Sequence, residues 1–398
     1  MSVKVYVPSP WRNLTGGKAR VEVAANDIAG LLGSMEALYP GFMSHVVDET
    51  GEVFHHVNIF VNQELISHSQ GLHTTLQDGE EVAFVPALAG GNSAYLGAEK
   101  EPASRGRETI DLNALKAGGF IMQRQGNFFS LRLKVPVGNI TGEQLMKVAD
   151  VAQRYGKGHV HLTMRQGIEI PFIRLDDFNA VTGELAIVGL GLGACGARVR
   201  VVTACQGTAI CPHALGDTHS LAGKLDERLY GRWGLPHKFK MGVTGCPNAC
   251  AKPQENDLGF MAVVEPVFDE SGGHECIACG LCVDLCPGKA IQLVDGKPVI
   301  DRGRCFHDAR CIMHCPTGSW RARREGWNAY VGGKWGRQPQ LGVLFAEFLS
   351  EEQAVDLAER TLAAYCRLAN KGERLGSLIN RLGLATFKGA VYHEQPCP

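Results

Sequence analysis

The chain has 398 residues, 20% of them charged, with a formal net charge of −1 and a pI near neutrality, which leaves room for two to four domains and argues against nucleic acid or a membrane surface as a partner. No apolar run reaches the length of a spanning helix, and MSVKVYVPSP lacks both a basic n-region and an apolar h-region, so the cytoplasm is the expected compartment. In that compartment the fourteen Cys read as metal ligands or reduced thiols rather than disulfides.

In chain order, alternation predicts strands over Val3–Val7 and Ala19–Val23, helical spacing covers Ile28–Leu38, and further strands are predicted over Val53–Val61 and Glu80–Phe84. Strand, strand, helix, strand, strand suits a β-grasp spanning residues 1–91. The segment closes with DGEEVAFVPALAGG, Asp78 to Gly91. This stretch resembles the end of the ubiquitin-like sulfur carriers, the family of the small molybdopterin synthase subunit and the thiamine sulfur carrier. The resemblance implies a Gly-Gly carboxylate that an activating enzyme adenylates and converts to a thiocarboxylate. Here Gly91 is followed by Asn92 and has no free carboxylate. Either a protease cuts after Gly91 and frees a carrier, or the domain stays attached for docking; the preserved Ala89-Gly90-Gly91 favours the first.

Residues 92–108 are polar, with scattered Gly, Pro and Ser, and read as a linker. Over 109–188, strands are predicted at Phe128–Val135, His159–Thr163 and Ile168–Ile173, and helices at Thr141–Tyr155 and Leu175–Val188. Residues 189–268 and 319–398 read as one α/β domain, with Tyr330–Arg337 (YVGGKWGR) as a strand and Ser350 to about Leu368 as an amphipathic helix. Residues 269–318 form a cysteine-rich insertion within it.

Cys205 and Cys211 stand in C-x5-C spacing, Cys246 and Cys250 in C-x3-C. Zinc knuckles usually use CxxC, so four thiolates around an iron–sulfur cubane fit better than a structural zinc. This pair of spacings, preceded by the βαββα order, resembles the siroheme-dependent sulfite and nitrite reductases. The inserted cysteine-rich segment and YVGGKWGR resemble the dissimilatory and anaerobic sulfite reductase subunits in particular. The implied fold class is α+β: a β-grasp, then a single reductase repeat (a ferredoxin-like half-domain and an α/β siroheme domain) carrying an inserted two-cluster ferredoxin of bacterial type.

The resemblance implies six-electron reduction of sulfite to sulfide on siroheme, with Cys250 bridging its iron to a [4Fe-4S] cluster completed by Cys205, Cys211 and Cys246. It places Arg132 (SLRLKVP) and Arg165 (LTMRQGIEI) as anion clamps, and Lys238 and Lys240 (LPHKFK) as proton donors. Arg200, Thr203 and Asn248 are expected at the siroheme carboxylates or ring edge. Nitrite is the alternative substrate, reduced to ammonia; a non-catalytic electron-transfer or sulfur-relay subunit is the rival class. Large assimilatory enzymes hold two copies of this repeat and this chain holds one, so a homodimer is expected, with the cluster from one protomer and basic residues from its neighbour.

Cys276, Cys279, Cys282 and Cys286 form CxxCxxCxxxCP, and Cys305, Cys311 and Cys315 a second run with Asp308 where Cys is expected. In two-cluster ferredoxins the fourth Cys of each run serves the other cluster. Cluster one is then Cys276, Cys279, Cys282 and Cys315, and cluster two Cys286, Cys305 and Cys311. Asp308 either ligates the second as a [4Fe-4S] cluster or leaves it [3Fe-4S]. An electron donor protein is implied. Cys195 reads as buried packing, Cys366 lies in the late helix and Cys397 in the terminal PCP.

Overall fold

The computed structural model describes residues 2–8, 11–48, 51–54, 57–62, 64–66, 70–86, 112–271 and 273–392. The expected linker, the Gly90-Gly91 end and Cys397 lie outside the described residues. The chain divides into two compact units, Met1–Val201 with Tyr230–Trp233, and Val202–Leu229 with Gly234–Pro398.

In the first unit, Val3 and Val5 alternate with exposed Ser2 and Lys4 to make β1 (Ser2–Tyr6), paired antiparallel with β2 (Arg20–Ala24). Asp27 caps α1 (Ile28–Leu38) by accepting from the Gly30 N–H at 2.7 Å, and Ile28, Leu31, Leu32 and Met35 bury one helix face. β3 (Val57–Val61), β4 (Glu64–Leu65) and β5 (Glu81–Pro86) complete a sheet ordered β2-β1-β5-β3-β4, with β5 parallel to β1. The strand expected from Val53 begins only at Val57; Val53 makes an isolated bridge to Val47.

Two elements absent from the βαββα expectation, α2 (Leu112–Ala117) and β6 (Phe120–Met122), precede β7 (Phe128–Arg132). Next come α3 (Gly142–Tyr155), β8 (His161–Leu162), β9 (Ile168–Arg174) and α4 (Phe178–Ile187), the strands in the order β6-β7-β9-β8. β7 stops short of Val135, which precedes Pro136 and the turn it opens. Thr141 and Gln144 form a capping box on α3. The helix expected from Leu175 starts as a 3₁₀ turn and becomes α-helical at Phe178. Fully buried Glu184 of α4 accepts from Tyr155 Oη at 2.8 Å and pairs with Arg154 and with Lys147 at 3.4 Å, pinning α3 to α4.

Tyr6, Phe60 and Ala83 lie on the face of the β-grasp sheet away from α1, packed with Ala186 and Ile187 of α4. Gly183 gives the Phe60 ring its place: a Cβ there would stand 3.0 Å from Phe60 Cδ1. Arg20 stacks over Tyr6 at 4.6 Å and pairs with Glu143 of α3 at 2.9 Å.

The second unit is built on one sheet ordered β10-β11-β12-β15-β16: β10 (Thr203–Ala204), β11 (Met241–Thr244) and β12 (Leu258–Phe268) run parallel, with β15 (Trp320–Val331) and β16 (Val343–Leu349) antiparallel beyond them. α5 (Thr218–Leu229) packs against this sheet. The cysteine-rich segment leaves from the end of β12 and returns on β15. It contains α6 (Leu281–Asp284), the hairpin β13 (Ile291–Val294) and β14 (Lys297–Ile300), and α7 (Arg310–Met313). α8 (Glu351–Leu368), capped by Ser350, α9 (Leu375–Leu382) and α10 (Leu384–Tyr392) close the unit. The strand expected through Arg337 ends at Val331, because Gly332 turns the chain at φ 86°. No helix of the described residues is long and apolar enough to cross a membrane.

Gly183→Leu should drive Phe60 off α4 at an overpacking cost of about 1–3 kcal/mol. Hydrogen exchange in the full chain should then rise in β1, β3 and β5, with Gly183→Ala intermediate; unchanged protection would show that this contact does not hold the β-grasp domain.

Candidate functional site

In the second unit, β10 and β11 are parallel neighbours, so their C-terminal ends lie side by side. Cys205 follows the first and Cys246 the second. The Cys205 N–H bonds the Val243 carbonyl at 3.2 Å, and the Gly245 N–H donates to Cys205 Sγ at 3.1 Å. A 3₁₀ turn over Gly207–Ala209 then brings Cys211 round, its N–H on the Gly207 carbonyl at 2.9 Å. Gly207 stands at φ 54° against Thr218, where a Cβ would come within 2.3 Å of Oγ1. After Cys246 a second turn with Ala249 at φ 53° delivers Cys250, which is exposed while Cys246 is buried. Burial raises the Cys246 thiol pKa; the Asn248 backbone N–H opposes, and the nearby charges of Cys205, Cys211 and Cys250 push it further up. The four thiols therefore share one corner of the sheet. Among the described residues no three His, Cys, Asp or Glu close around a single metal ion. An N–H aimed at sulfur and four thiols at one corner suit a thiolate-held cluster.

Thr203 lies within the ladder, its hydroxyl donating to the Met241 carbonyl at 3.2 Å, and Asn248 is exposed. Lys238 and Lys240 are half-buried just before β11, at its opposite end from Cys246, about 13 Å of strand away. The structure thus does not bring these lysines to the cysteine corner of their own chain. The Lys240 N–H donates to Asp257 Oδ2 at 2.9 Å, and Arg374 grips the same carboxylate at 2.7 Å. Burial pushes the Asp257 carboxyl up, and Arg374 opposes. This buried pair fixes the lysine segment to the start of α9; nothing in the local sequence announces it.

In the first unit, Arg132 ends β7 opposite Glu169 of β9, and the two form a cross-strand ion pair. Arg132 Nη1 also donates to Cys195 Sγ at 3.3 Å. Burial tends to lower the Arg132 pKa, but Glu169 and Cys195 more than offset it. Arg200 donates to the carbonyls of Ala194 and Gly196, both at 2.9 Å; burial lowers its pKa, and neighbouring Arg132 adds to the fall. Arg165 sits in the β8–β9 turn and donates to the Val201 carbonyl at 2.9 Å. Cys195 is buried as expected, yet it is also the acceptor that orients Arg132, a role its Gly/Ala-rich surroundings give no hint of.

In the cysteine-rich segment, Cys276, Cys279, Cys282 and Cys315 line one small cavity. The Ala278 N–H donates to Cys276 Sγ at 3.4 Å. Although burial opposes it, the Thr317 hydroxyl and backbone N–H groups bring the Cys315 thiol down to about 7. Cys286, Cys305, Cys311 and Asp308 form a second group. Burial, Cys305 and Asp308 push Cys311 up to about 12, and burial raises Cys305, with Cys286 and Asp308 adding to it. N–H donors again meet sulfur, Ala290 to Cys286 at 3.3 Å and His307 to Cys305 at 3.4 Å. Asp308 pairs with Arg310 at 3.5 Å. Cys366 is exposed on α8.

Residues 195–397 match the nitrite and sulphite reductase 4Fe-4S domain, residues 121–187 the nitrite/sulfite reductase ferredoxin-like half domain, and residues 5–91 the ThiS family. The chain is 30% identical over 272 residues to the coenzyme F420-dependent sulfite reductase of Methanocaldococcus jannaschii, covering 68% of this chain and 43% of that one, so it spans less than half of that relative's length. It is 29% identical over 266 residues to a subunit of the anaerobic sulfite reductase of Salmonella typhimurium, covering 61% of this chain and 77% of that one. A crystal structure of dissimilatory sulfite reductase I shares the fold, with TM-score 0.56 and 22% identity over 68% of this chain and 70% of that one. By the matched domain and the cysteine corner inside it, the chain belongs to the nitrite and sulphite reductase family, carrying a ThiS-family domain at its N-terminal end.

Proposed function

We propose that the chain reduces sulfite to sulfide at a siroheme held beside a [4Fe-4S] cluster on Cys205, Cys211, Cys246 and Cys250. The observation that carries this reading is the meeting of those four cysteines at the ends of two parallel strands, with an N–H donor on sulfur. When bound, siroheme and its cluster supply the iron that takes up the substrate sulfur and the route for six electrons. Exposed Cys250 would be the cluster ligand that faces the siroheme. Arg132 and Arg165 clamp the anion, and Lys238 and Lys240 supply protons to the departing oxygens. Arg200, Thr203 and Asn248 would hold the macrocycle's carboxylates or edge. Both the Methanocaldococcus and the Salmonella relatives are named as sulfite reductases, and a fused carrier domain favours sulfite over nitrite as substrate.

The separation of Lys240 from Cys246 along β11 supports a two-fold assembly in which each site takes its cluster from one protomer and its basic residues from the next. Cys276, Cys279, Cys282 and Cys315 would hold one cluster and Cys286, Cys305 and Cys311 a second, supplying a relay for electrons from a donor protein. The second set is the one tied toward the cysteine corner, since the His307 carbonyl accepts from the Val264 N–H at 3.0 Å and so holds that turn on β12, beside the strand that carries Cys246. Once a protease has cut after Gly91 and an activating enzyme has adenylated the new carboxylate, the sulfide attacks that acyl adenylate, displacing AMP and leaving a thiocarboxylate on the β-grasp domain.

Protein purified anaerobically, with siroheme supplied during expression, should show siroheme absorption bands that shift on adding sulfite. Lys240→Gln should keep the bands and lose about 10²-fold in turnover. A broad iron–sulfur shoulder alone would favour the electron-transfer reading instead.

Asp308 is proposed as an oxygen ligand to a four-iron second cluster. Asp308→Cys should then change that cluster's EPR signal; an unchanged spectrum would mean a three-iron cluster that Asp308 does not touch.

Extracts of the native cell should contain an N-terminal fragment ending at Gly91 and a reductase portion that sediments as a dimer. Recovery of active, full-length monomer alone would overturn both cleavage and the shared site.

A further inference from the structure

We infer that the indole N–H of Trp320 is a hydrogen-bond donor to the Cys282 thiolate of the first cluster, and that it holds that cluster's reduction potential up. The inference rests on the reading that Cys276, Cys279, Cys282 and Cys315 carry a cluster.

Trp320 opens β15, paired with Phe268 at the end of β12, and its ring packs on Phe268 with centroids 5.6 Å apart. It is 3% exposed and forms part of the wall of the cavity that these four cysteines line. Its Nε1 is sealed from solvent and, among the described residues, meets no acceptor in closed hydrogen-bond geometry. A buried indole N–H without an acceptor destabilises the fold, so a retained one implies an acceptor in the working state. The sulfur set beside it is Cys282, which packs on the apolar cluster that Trp320 belongs to and lines the same cavity. Cys315 packs there as well, so one residue stands beside two sulfurs of one cavity. Reduction adds negative charge that falls partly on the sulfurs. A donor to sulfur therefore stabilises the reduced cluster more than the oxidised one and raises the potential.

The test is an anaerobic redox titration followed by EPR on full-length, siroheme-loaded protein. Trp320→Phe keeps the apolar ring and removes the donor. The signal that Cys282→Ser perturbs should become harder to reduce by on the order of tenfold in the one-electron equilibrium, about 59 mV. The other clusters should not move. An unshifted midpoint with a full complement of iron overturns the inference. A Cys282→Ser variant whose spectrum matches that of wild-type refutes the cluster reading itself and removes the inference with it, a result distinct from an unshifted midpoint. Should Trp320→Phe fail to load its cluster, wild-type protein labelled with ¹⁵N at the tryptophan indole decides by pulsed EPR. A ¹⁵N coupling to the reduced first cluster is expected, because among the described residues Trp320 is the tryptophan lining that cavity. Its absence overturns the inference.

Discussion

The parallel pairing of β10 with β11 is the constraint on which the reductase portion depends. Strands that run the same way end at the same edge, and that alone sets Cys205 beside Cys246. The approach is tight because glycines permit it. A Cβ on Gly245 would lie 3.2 Å from the Gly207 Cα and 3.3 Å from the Gly216 carbonyl, and one on Gly216 would strike Ala262 and Trp327 at under 3 Å. Both cysteine-bearing turns could not fold back this closely with larger residues. The same backbone that shapes the corner also supplies the N–H groups that stabilise charge on sulfur.

The arginines follow a different principle. Cations of the first unit are brought together at the expense of burial, and each is steadied by a nearby acceptor: Glu169 and Cys195 for Arg132, main-chain carbonyls for Arg165 and Arg200. Carbonyl acceptors orient a guanidinium without cancelling its charge. Arg132 is the exception, since Glu169 neutralises part of its field. Its contribution is then one of direction more than of net charge.

Much of this was legible in the sequence because it depends on local spacing. Helix α1 lies where the 3.6-residue pattern of Ile28, Leu31, Leu32 and Met35 places it, and Thr141 and Ser350 cap helices as polar residues ahead of apolar periodicity should. The grouping of Cys315 with Cys276, Cys279 and Cys282 also follows from the spacing of a repeated motif. What could not be read depends on contacts distant in sequence. Asp257 and Arg374 are 117 residues apart, yet together they hold the segment carrying Lys240. Short elements such as β4 and β6 have too few residues to show any period, and Gly183 reveals itself as a seat for Phe60 only once α4 meets the β-grasp sheet. The short β11 likewise shows no period that would announce Lys240 and Cys246 at its opposite ends.

The mounting of the cysteine-rich segment has a mechanical consequence. It is entered by β12 and left by β15, two strands hydrogen-bonded to each other from Leu258–Val331 to Phe268–Trp320 and interrupted by one bulge at Glu265/Pro266. Glu265 gathers Arg302, Arg323 and Arg324 across that bulge, and Arg302 reaches the Pro266 carbonyl at 2.6 Å. A segment fixed at both ends to a stiff ribbon, and bolted again by Arg302, does not swing between donor and acceptor as a carrier on a flexible tether would. The distance from its thiols to the cysteine corner is therefore built into the sheet itself.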